Sequence, residues 1–322
     1  MTLNQSSVLV RDEQALDKDA AFDLQAALDI VEELMRETVN SDVDVLRDAS
    51  WHILGAGGKR IRPRLTLLSF AAAGGENIDS VAPLAAAVEL VHTASVVHDD
   101  INDHGVVRRG RPSVNSIWGR TFALLTGDFL FTKVYELMAP HSNLNMVMSE
   151  ATTALVEGET LQAAAVKNNQ FSREVYARII ALKTAALFKA AATLGARAAN
   201  ASHTVETALA DYGFNIGLAF QIVDDVLDIT APPEQLGKTS GIDIEQGRGF
   251  AVAYEGADVA PATGDPIASL RARVLKGNAV HEGYEQALHF VEAAVAGLSV
   301  LPESSAKQQM VELAYSVVER NA

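Results

Sequence analysis

The sequence predicts an all-α fold, one helical bundle running through residues 1–322, and three features carry that expectation. Alanine and leucine recur throughout while β-branched alternation is scarce, so helix-forming residues dominate. Apolar residues fall at helical spacing in segment after segment. The breaks between segments are mostly short, polar or glycine-bearing, and neither a linker nor a fixed-period repeat divides the chain into parts.

Taken in order, the spacing places helices at about 20–39, 43–54 and 60–73. The next, from Ser80 to Asp103, opens with Ser80 as N-cap and Pro83 in its first turn, runs through LAAAVELVHTASVVHDD and stops near Gly105. At about 24 residues and 1.5 Å rise it would span roughly 36 Å, enough to cross a domain. Further helices are expected at 113–139, 144–166, 173–199, 204–229 and 284–320. Between the last two, Ala231 to Pro266 reads as an extended irregular loop, and loops of that length are usually functional or mobile.

Composition narrows the function classes. Hydrophobic residues make up 48% of the 322, enough for a substantial core. Twenty-six basic against forty-one acidic side chains give a formal charge of -15, which repels nucleic acid, so no such partner is expected. Cysteine is absent, which excludes disulfides and thiolate metal sites and leaves hard cations on oxygen or imidazole ligands. MTLNQSSVLVRDEQ has neither a basic n-region nor an apolar h-region, and charges such as Lys183, Lys189 and Arg197 interrupt the long apolar segments, so a cytoplasmic protein is expected.

Two clusters carry the chemistry. In DDIND, Asp99 and Asp103 lie four apart on one helix face with Asp100 beside them; Asp224, Asp225 and Asp228 in GLAFQIVDDVLDIT repeat the same offsets. Like charges at this spacing repel, and both clusters close apolar helices, where the helix dipole also disfavours negative charge. A solvated face explains one such cluster, but two point to cations that offset the cost. Without cysteine, and without the paired Glu-x-x-His motifs of a di-iron bundle, the ion that fits is Mg²⁺, which takes one or two carboxylates and completes its shell with water and phosphate oxygens.

The cations that a diphosphate needs are also present. GAGGKRIRP supplies Lys59, Arg60 and Arg62; VVRRGRP supplies Arg108, Arg109 and Arg111; ALKT sets Lys183 beside Thr184; LGKTSG supplies Lys238. The planar fork of arginine suits phosphate oxygens and lysine acts as a point charge. LGKTSG is not a P-loop, because Pro232 stands where that motif requires glycine, and GAGG is not GxGxxG. His92 and His98 share the helix of the first cluster, where core packing competes with a functional role. Gln221, three before Asp224, is placed to hydrogen-bond a phosphate oxygen, orient a carboxylate or pack against a neighbouring helix.

In order and spacing, these motifs resemble the trans-isoprenyl diphosphate synthases, the polyprenyl synthetase family. The matching stretches are GGKRIRP from Gly57, ELVHTASVVHDDINDHGVVRRGRP from Glu89, LLTGDFLF from Leu124, LVEGETLQ from Leu155, IIALKTAALF from Ile179, GLAFQIVDDVLD from Gly217 and GKTSGID from Gly237. The resemblance implies an isoprenoid-synthase bundle around a central cavity, usually in a homodimer. It implies three Mg²⁺ ions bridging Asp99, Asp103 and Asp224 to an allylic prenyl diphosphate, supported by Asp100, Asp225 and Asp228. Lys59, Arg62, His92 and Arg109 are implied as the isopentenyl diphosphate site, and Arg108, Lys183, Thr184, Gln221 and Lys238 as the allylic one. One stretch departs from the family: GRGFAVAY from Gly247 replaces the usual GK-T-LP, so that Arg248 stands for a lysine contact and Val252 for a proline.

The family's pocket-limiting positions, five and four residues before Asp99, are Ala94 and Ser95, both small. Val91 and Ala87 follow one and two turns earlier, leaving room for an apolar channel, so a medium-to-long all-trans product is expected. Phe131, Tyr135 and Met138 on the next helix are candidate floor residues. The alternatives are a short-chain farnesyl or geranylgeranyl diphosphate synthase and a non-catalytic prenyl diphosphate-binding partner subunit. The second would have no physical need to keep two repulsive clusters, and a terpene cyclase would not need a second diphosphate site. Release of a long apolar product implies transient membrane contact, although no basic amphipathic helix announces it.

Overall fold

Helical spacing becomes helix along nearly all of the chain that the structure, a computed structural model, describes: residues 22–230, 249–255 and 278–319. The elements are α1 (Leu24–Thr38), α2 (Asp44–Leu54), α3 (Ile61–Ala72), α4 (Ala82–Asn102), β1 (Val107–Arg108), β2 (Arg111–Pro112), α5 (Val114–Met138), α6 (Asn145–Lys167), α7 (Arg173–Ile180), α8 (Ala186–Ala198), α9 (His203–Thr230), α10 (Phe250–Glu255), α11 (Ala279–Gly297) and α12 (Ser305–Val318). The all-α expectation holds, with one two-stranded ribbon added.

The core is built around α4. Its alanines present little bulk, so α1, α3, α5 and α8 all pack on it, and Leu84, Val88, Leu90, Val91 and Ala94 are fully buried. A helix that is apolar all round must be enclosed in this way. α9 is held between α8 and α11. The stretch Arg173–Ala198 is long and apolar enough to cross a membrane, with mean hydropathy 1.5, but 72% of that window is buried inside the protein, so it serves as a core segment.

Several expected boundaries are corrected. Ser80 does not cap α4: it lies in a 3₁₀ turn, Ile78–Ser80, and its hydroxyl donates to the Asn77 carbonyl at 2.7 Å, so α4 begins at Ala82 with Pro83 in its first turn. The expected helix 284–320 is two helices, separated by a 3₁₀ turn at Leu298–Val300 and an extended Leu301. Pro302 forces this break by disfavouring helical backbone in the residue before it, and the Ser304 side chain restarts the helix by accepting from the Lys307 N–H. The helix expected at 173–199 contains a π-turn, Ala181–Ala185. Of the loop expected from Ala231 to Pro266, the described part includes the helix α10, and residues 231–248 and 256–266 lie outside the described residues.

Tyr212 joins α9 to α12. Its fully buried hydroxyl donates to the Met310 carbonyl at 2.6 Å. Tyr212→Phe removes this link while the Met310 carbonyl keeps its helical partner, and a loss of about 0.5–1.5 kcal/mol in unfolding free energy is expected from denaturant titration.

Candidate active site

The charged ends of α4 and α9 meet. Asp99, Asp100 and Asp103 from α4 and Asp224 and Asp225 from α9 line one cavity of about 220 Å³. The lining positions on α4 are His92, Ser95, Val96, Asp99, Asp100 and Asp103, a single helical stripe. Asp228 is buried and not part of this lining.

Specific partners offset the crowded negative charge. Arg109 and Gly110, both at positive φ, turn the β1–β2 ribbon, in which Val107 pairs with Pro112 and Arg108 with Arg111. The ribbon folds Arg108 back onto α4, where Nε and Nη2 donate to Asp100 Oδ1 at 3.0 and 2.7 Å. Burial raises the Asp100 carboxyl pKa and Arg108 opposes that shift. The other oxygen, Oδ2, is buried with no hydrogen-bond partner among the described residues.

Lys183 approaches from the π-turn. Turns of this kind shift helical register by one residue and recur at functional sites. Lys183 Nζ lies 2.6 Å from Glu159 Oε1 and 3.6 Å from Asp99 Oδ2. Glycine at position 158 permits the approach of α6, since a Cβ there would come within 2.7 Å of the Lys183 backbone nitrogen. On the other side, Tyr176 donates to Asp225 Oδ2 at 2.8 Å, Gln221 Nε2 donates to Asp225 Oδ1 at 2.7 Å, and Thr184 donates to Gln221 Oε1 at 2.7 Å. Glu159 and Tyr176 were missed by sequence reasoning. Glu159 lies inside LVEGETLQ and was available as a charge partner for a nearby lysine, whereas nothing local in the sequence marks Tyr176.

The cationic wall is preorganised. Arg62 lines the cavity with its guanidinium 4.7 Å from the Phe188 ring centroid, and its Nε has no hydrogen-bond partner among the described residues. Burial lowers the Arg62 pKa to about 10, which leaves it charged at neutral pH. Arg60 is used otherwise: it sits in left-handed backbone (φ 48) and is locked by Glu32 at 3.0 Å, Glu89 at 3.0 Å and the Leu54 carbonyl at 2.8 Å. Arg109 donates to the Gly57 carbonyl, and a side chain on Gly58 would collide with the Arg109 guanidinium. The loop before α3 and the ribbon therefore meet, and Lys59 and Arg109 are exposed outside the cavity lining that Arg62 and Arg108 share.

Burial, and then the arginines Arg62, Arg109, Arg108 and Arg60, hold His92 neutral well below the ordinary value of 6.5. The unfolded chain binds this proton more readily, so the stability from a neutral His92 is complete above about pH 6.5 and is lost as pH falls toward the depressed value. Melting curves between pH 7 and 5 are expected to drop less for His92→Gln than for the natural chain.

The remaining expected positions divide. Ser95 lines the cavity, whereas Ala94 and Val91 are packed at 0% exposure and are not part of its lining. His98 packs instead, with Nε2 3.2 Å from the Leu124 carbonyl and 3.6 Å from Asp128 Oδ1. Phe131, Tyr135 and Met138 line a second, mainly apolar cavity of about 690 Å³ between α5 and α6, with Met148, Thr152 and Val156. Lys238 and Arg248 lie outside the described residues.

The carboxylates suit a hard cation. Among the described residues no three acidic or imidazole groups converge to chelate one ion by themselves. An ion held here would need further oxygen ligands, which matches the habit of Mg²⁺ in sharing carboxylates with substrate phosphate. The buried Asp100 Oδ2 without a donor is consistent with that demand.

The polyprenyl synthetase family model matches residues 43–265. Octaprenyl diphosphate synthase of Escherichia coli (strain K12) is 34% identical over 303 residues, covering 88% of this chain and 93% of that protein. The short chain isoprenyl diphosphate synthase of Methanothermobacter thermautotrophicus is 36% identical over 313 residues, covering 91% and 96%. Among solved structures, a polyprenyl synthase from Caulobacter crescentus CB15, complexed with calcium and isoprenyl diphosphate, is similar with a TM-score of 0.87 at 34% identity, covering 92% of this chain and 96% of that one.

Proposed function

The chain belongs to the polyprenyl synthetase family, and we propose from this premise that its cavity condenses isopentenyl diphosphate with an allylic prenyl diphosphate into a medium-to-long all-trans polyprenyl diphosphate. It is a prenyltransferase. The observation that carries the reading is the lining of one cavity by aspartates from both clusters together with Arg62, Arg108 and Lys183.

In this reading Asp99, Asp103 and Asp224 would hold Mg²⁺, three ions in all, with Asp100, Asp225 and Asp228 in support. Bound there, the ions would neutralise the charge that develops on the allylic diphosphate as its carbon–oxygen bond breaks. Arg108, Lys183 and Gln221, joined by Lys238 and Arg248, hold that diphosphate, and Thr184 serves the site through its hydrogen bond to Gln221 Oε1. Lys59, Arg62, His92 and Arg109 hold isopentenyl diphosphate so that its double bond faces the allylic cation. The proton lost when the new alkene forms goes to the departed diphosphate. Val96, Leu155, Phe171, Ile179 and Phe220 supply an apolar wall against water, which would quench the cation.

We further propose one domain over residues 1–322, a cytoplasmic location, a homodimer and transient membrane contact for product release. Ile117, Phe122, Leu124 and Leu125 on α5, each more than 40% exposed, support the homodimer as an apolar face in need of a partner. The test is to incubate purified protein with Mg²⁺, labelled isopentenyl diphosphate and farnesyl diphosphate, and to separate products by chromatography. A Mg²⁺-dependent ladder past geranylgeranyl diphosphate is expected. A ladder that stops there would make the protein a short-chain synthase, and no incorporation from any allylic primer would sink the enzyme reading in favour of a partner subunit.

A further inference from the structure

One buried hydroxyl holds the carboxylate that orders the hydrogen bonds beside the proposed allylic site. Tyr176 on α7 is 3% exposed, and its hydroxyl donates to Asp225 Oδ2 at 2.8 Å. Gln221 Nε2 donates to Asp225 Oδ1 at 2.7 Å, and Thr184 Oγ1 donates to Gln221 Oε1 at 2.7 Å. An ionised carboxylate only accepts hydrogen bonds. Gln221 must therefore turn its amide nitrogen to Asp225 and its carbonyl to Thr184. Two consequences follow. The single Thr184 proton is directed inward, so that this hydroxyl offers lone pairs to the cavity, while Gln221 retains a second N–H. Of the two side chains, Gln221 is the one able to donate to a phosphate oxygen.

The Tyr176 ring is itself clamped. Phe250 lies edge-on at 5.9 Å and Tyr254 at 6.5 Å between ring centroids, both from α10, with Phe171 at 6.4 Å. Phe250 and Tyr254 stack on each other at 3.9 Å, and the Arg173 guanidinium sits 4.1 Å from the Tyr254 ring centroid. The seating of α10 on α7 thus reaches the second aspartate cluster through one ring.

Resting on the function proposed above, we propose that Tyr176 is a positioning residue: by holding Asp225 Oδ2 it fixes the carboxylate to which the Gln221 amide is keyed, and so places the donor that the allylic diphosphate meets. Its side chain lines the same cavity, and its hydroxyl acts through Asp225, to which it donates. Its effect is expected on the allylic side, because the described hydrogen bonds of this network run from Tyr176 to Asp225, Gln221 and Thr184.

The test uses the full chain with Mg²⁺ and a thiolodiphosphate analogue of farnesyl diphosphate, which binds without ionising. Tyr176→Phe keeps the ring packing and removes only the hydroxyl. Calorimetry is expected to give a roughly 10-fold weaker Kd for the analogue, with KM for isopentenyl diphosphate unchanged and the melting temperature close to that of the natural chain. Asp225→Asn, which can turn an amide toward Gln221 and reverse the order of donors, is expected to weaken the analogue at least as much. The double variant is expected to be no weaker than Asp225→Asn alone, the non-additivity of one connected network. Unchanged analogue affinity in Tyr176→Phe would overturn the inference, as would equal weakening of both substrates, since a packing role alone would produce that. If the natural chain itself does not bind the analogue, the functional reading falls and this inference with it, a result distinguishable without any variant.

Discussion

Asp99→Asn is expected to lower the rate of product formation by roughly 100- to 1000-fold at saturating Mg²⁺ while leaving the fold intact. Asp99 lines the cavity from the stripe that also carries Asp103, and amide nitrogen cannot replace a carboxylate oxygen toward a hard cation. The fold is expected to survive because little of it depends on this carboxylate. Its described ion pair, with Lys183, is 3.6 Å long and partly solvated, and Lys183 keeps the closer contact to Glu159 at 2.6 Å. Asn relieves repulsion within the cluster as well, so the melting temperature is expected to hold or rise. Initial rates against Mg²⁺ concentration, with circular dichroism on the same sample, decide the matter; a variant within a few-fold of the natural rate would remove Asp99 from the proposed metal site.

Ser95→Phe is expected to change the product rather than the rate, shifting the ladder to shorter chains by several isoprene units. Ser95 lines the cavity, and a phenyl ring needs about 150 Å³ of free space, set against about 220 Å³ here. The neighbouring substitution Ala94→Phe is expected to act in a different way. Ala94 is 0% exposed in the packed centre of α4, so added bulk meets core atoms and costs about 1–3 kcal/mol or more of stability. Chromatography of products beside melting curves for the two variants separates a channel from a core. Natural-length product from Ser95→Phe would mean that the growing chain does not pass this position.

Much of the fold is legible in the residues themselves. Period-3.6 apolar spacing is a local property, so the helices α1 to α9 are legible apart from their ends and the π-turn that parts α7 from α8, and the aspartates at one-and-four offsets stand out as mutually repulsive. The split between α11 and α12 is also written in the chain, in Pro302 and Ser304, although the apolar pattern continues on both sides and masks it. The π-turn under Lys183 was not readable. It is held where Gly158 lets α6 approach, and that packing joins residues distant in the chain.

By itself the sequence determined the helical class, the number and kind of charges, and the two aspartate clusters, since each depends on residues within a few turns of one another. Tertiary structure alone decided which of these groups share a space. Adjacent helical residues point about 100° apart, so the rotation of α4 within its bundle turned Ser95 to the cavity and Ala94 into the core. Packing of α7 against α9 likewise engaged Asp225 with Tyr176, while Glu159 on α6 took the near side of Lys183. Those choices follow from how bulky and small side chains interlock between helices, a property of the assembled core that no single segment carries.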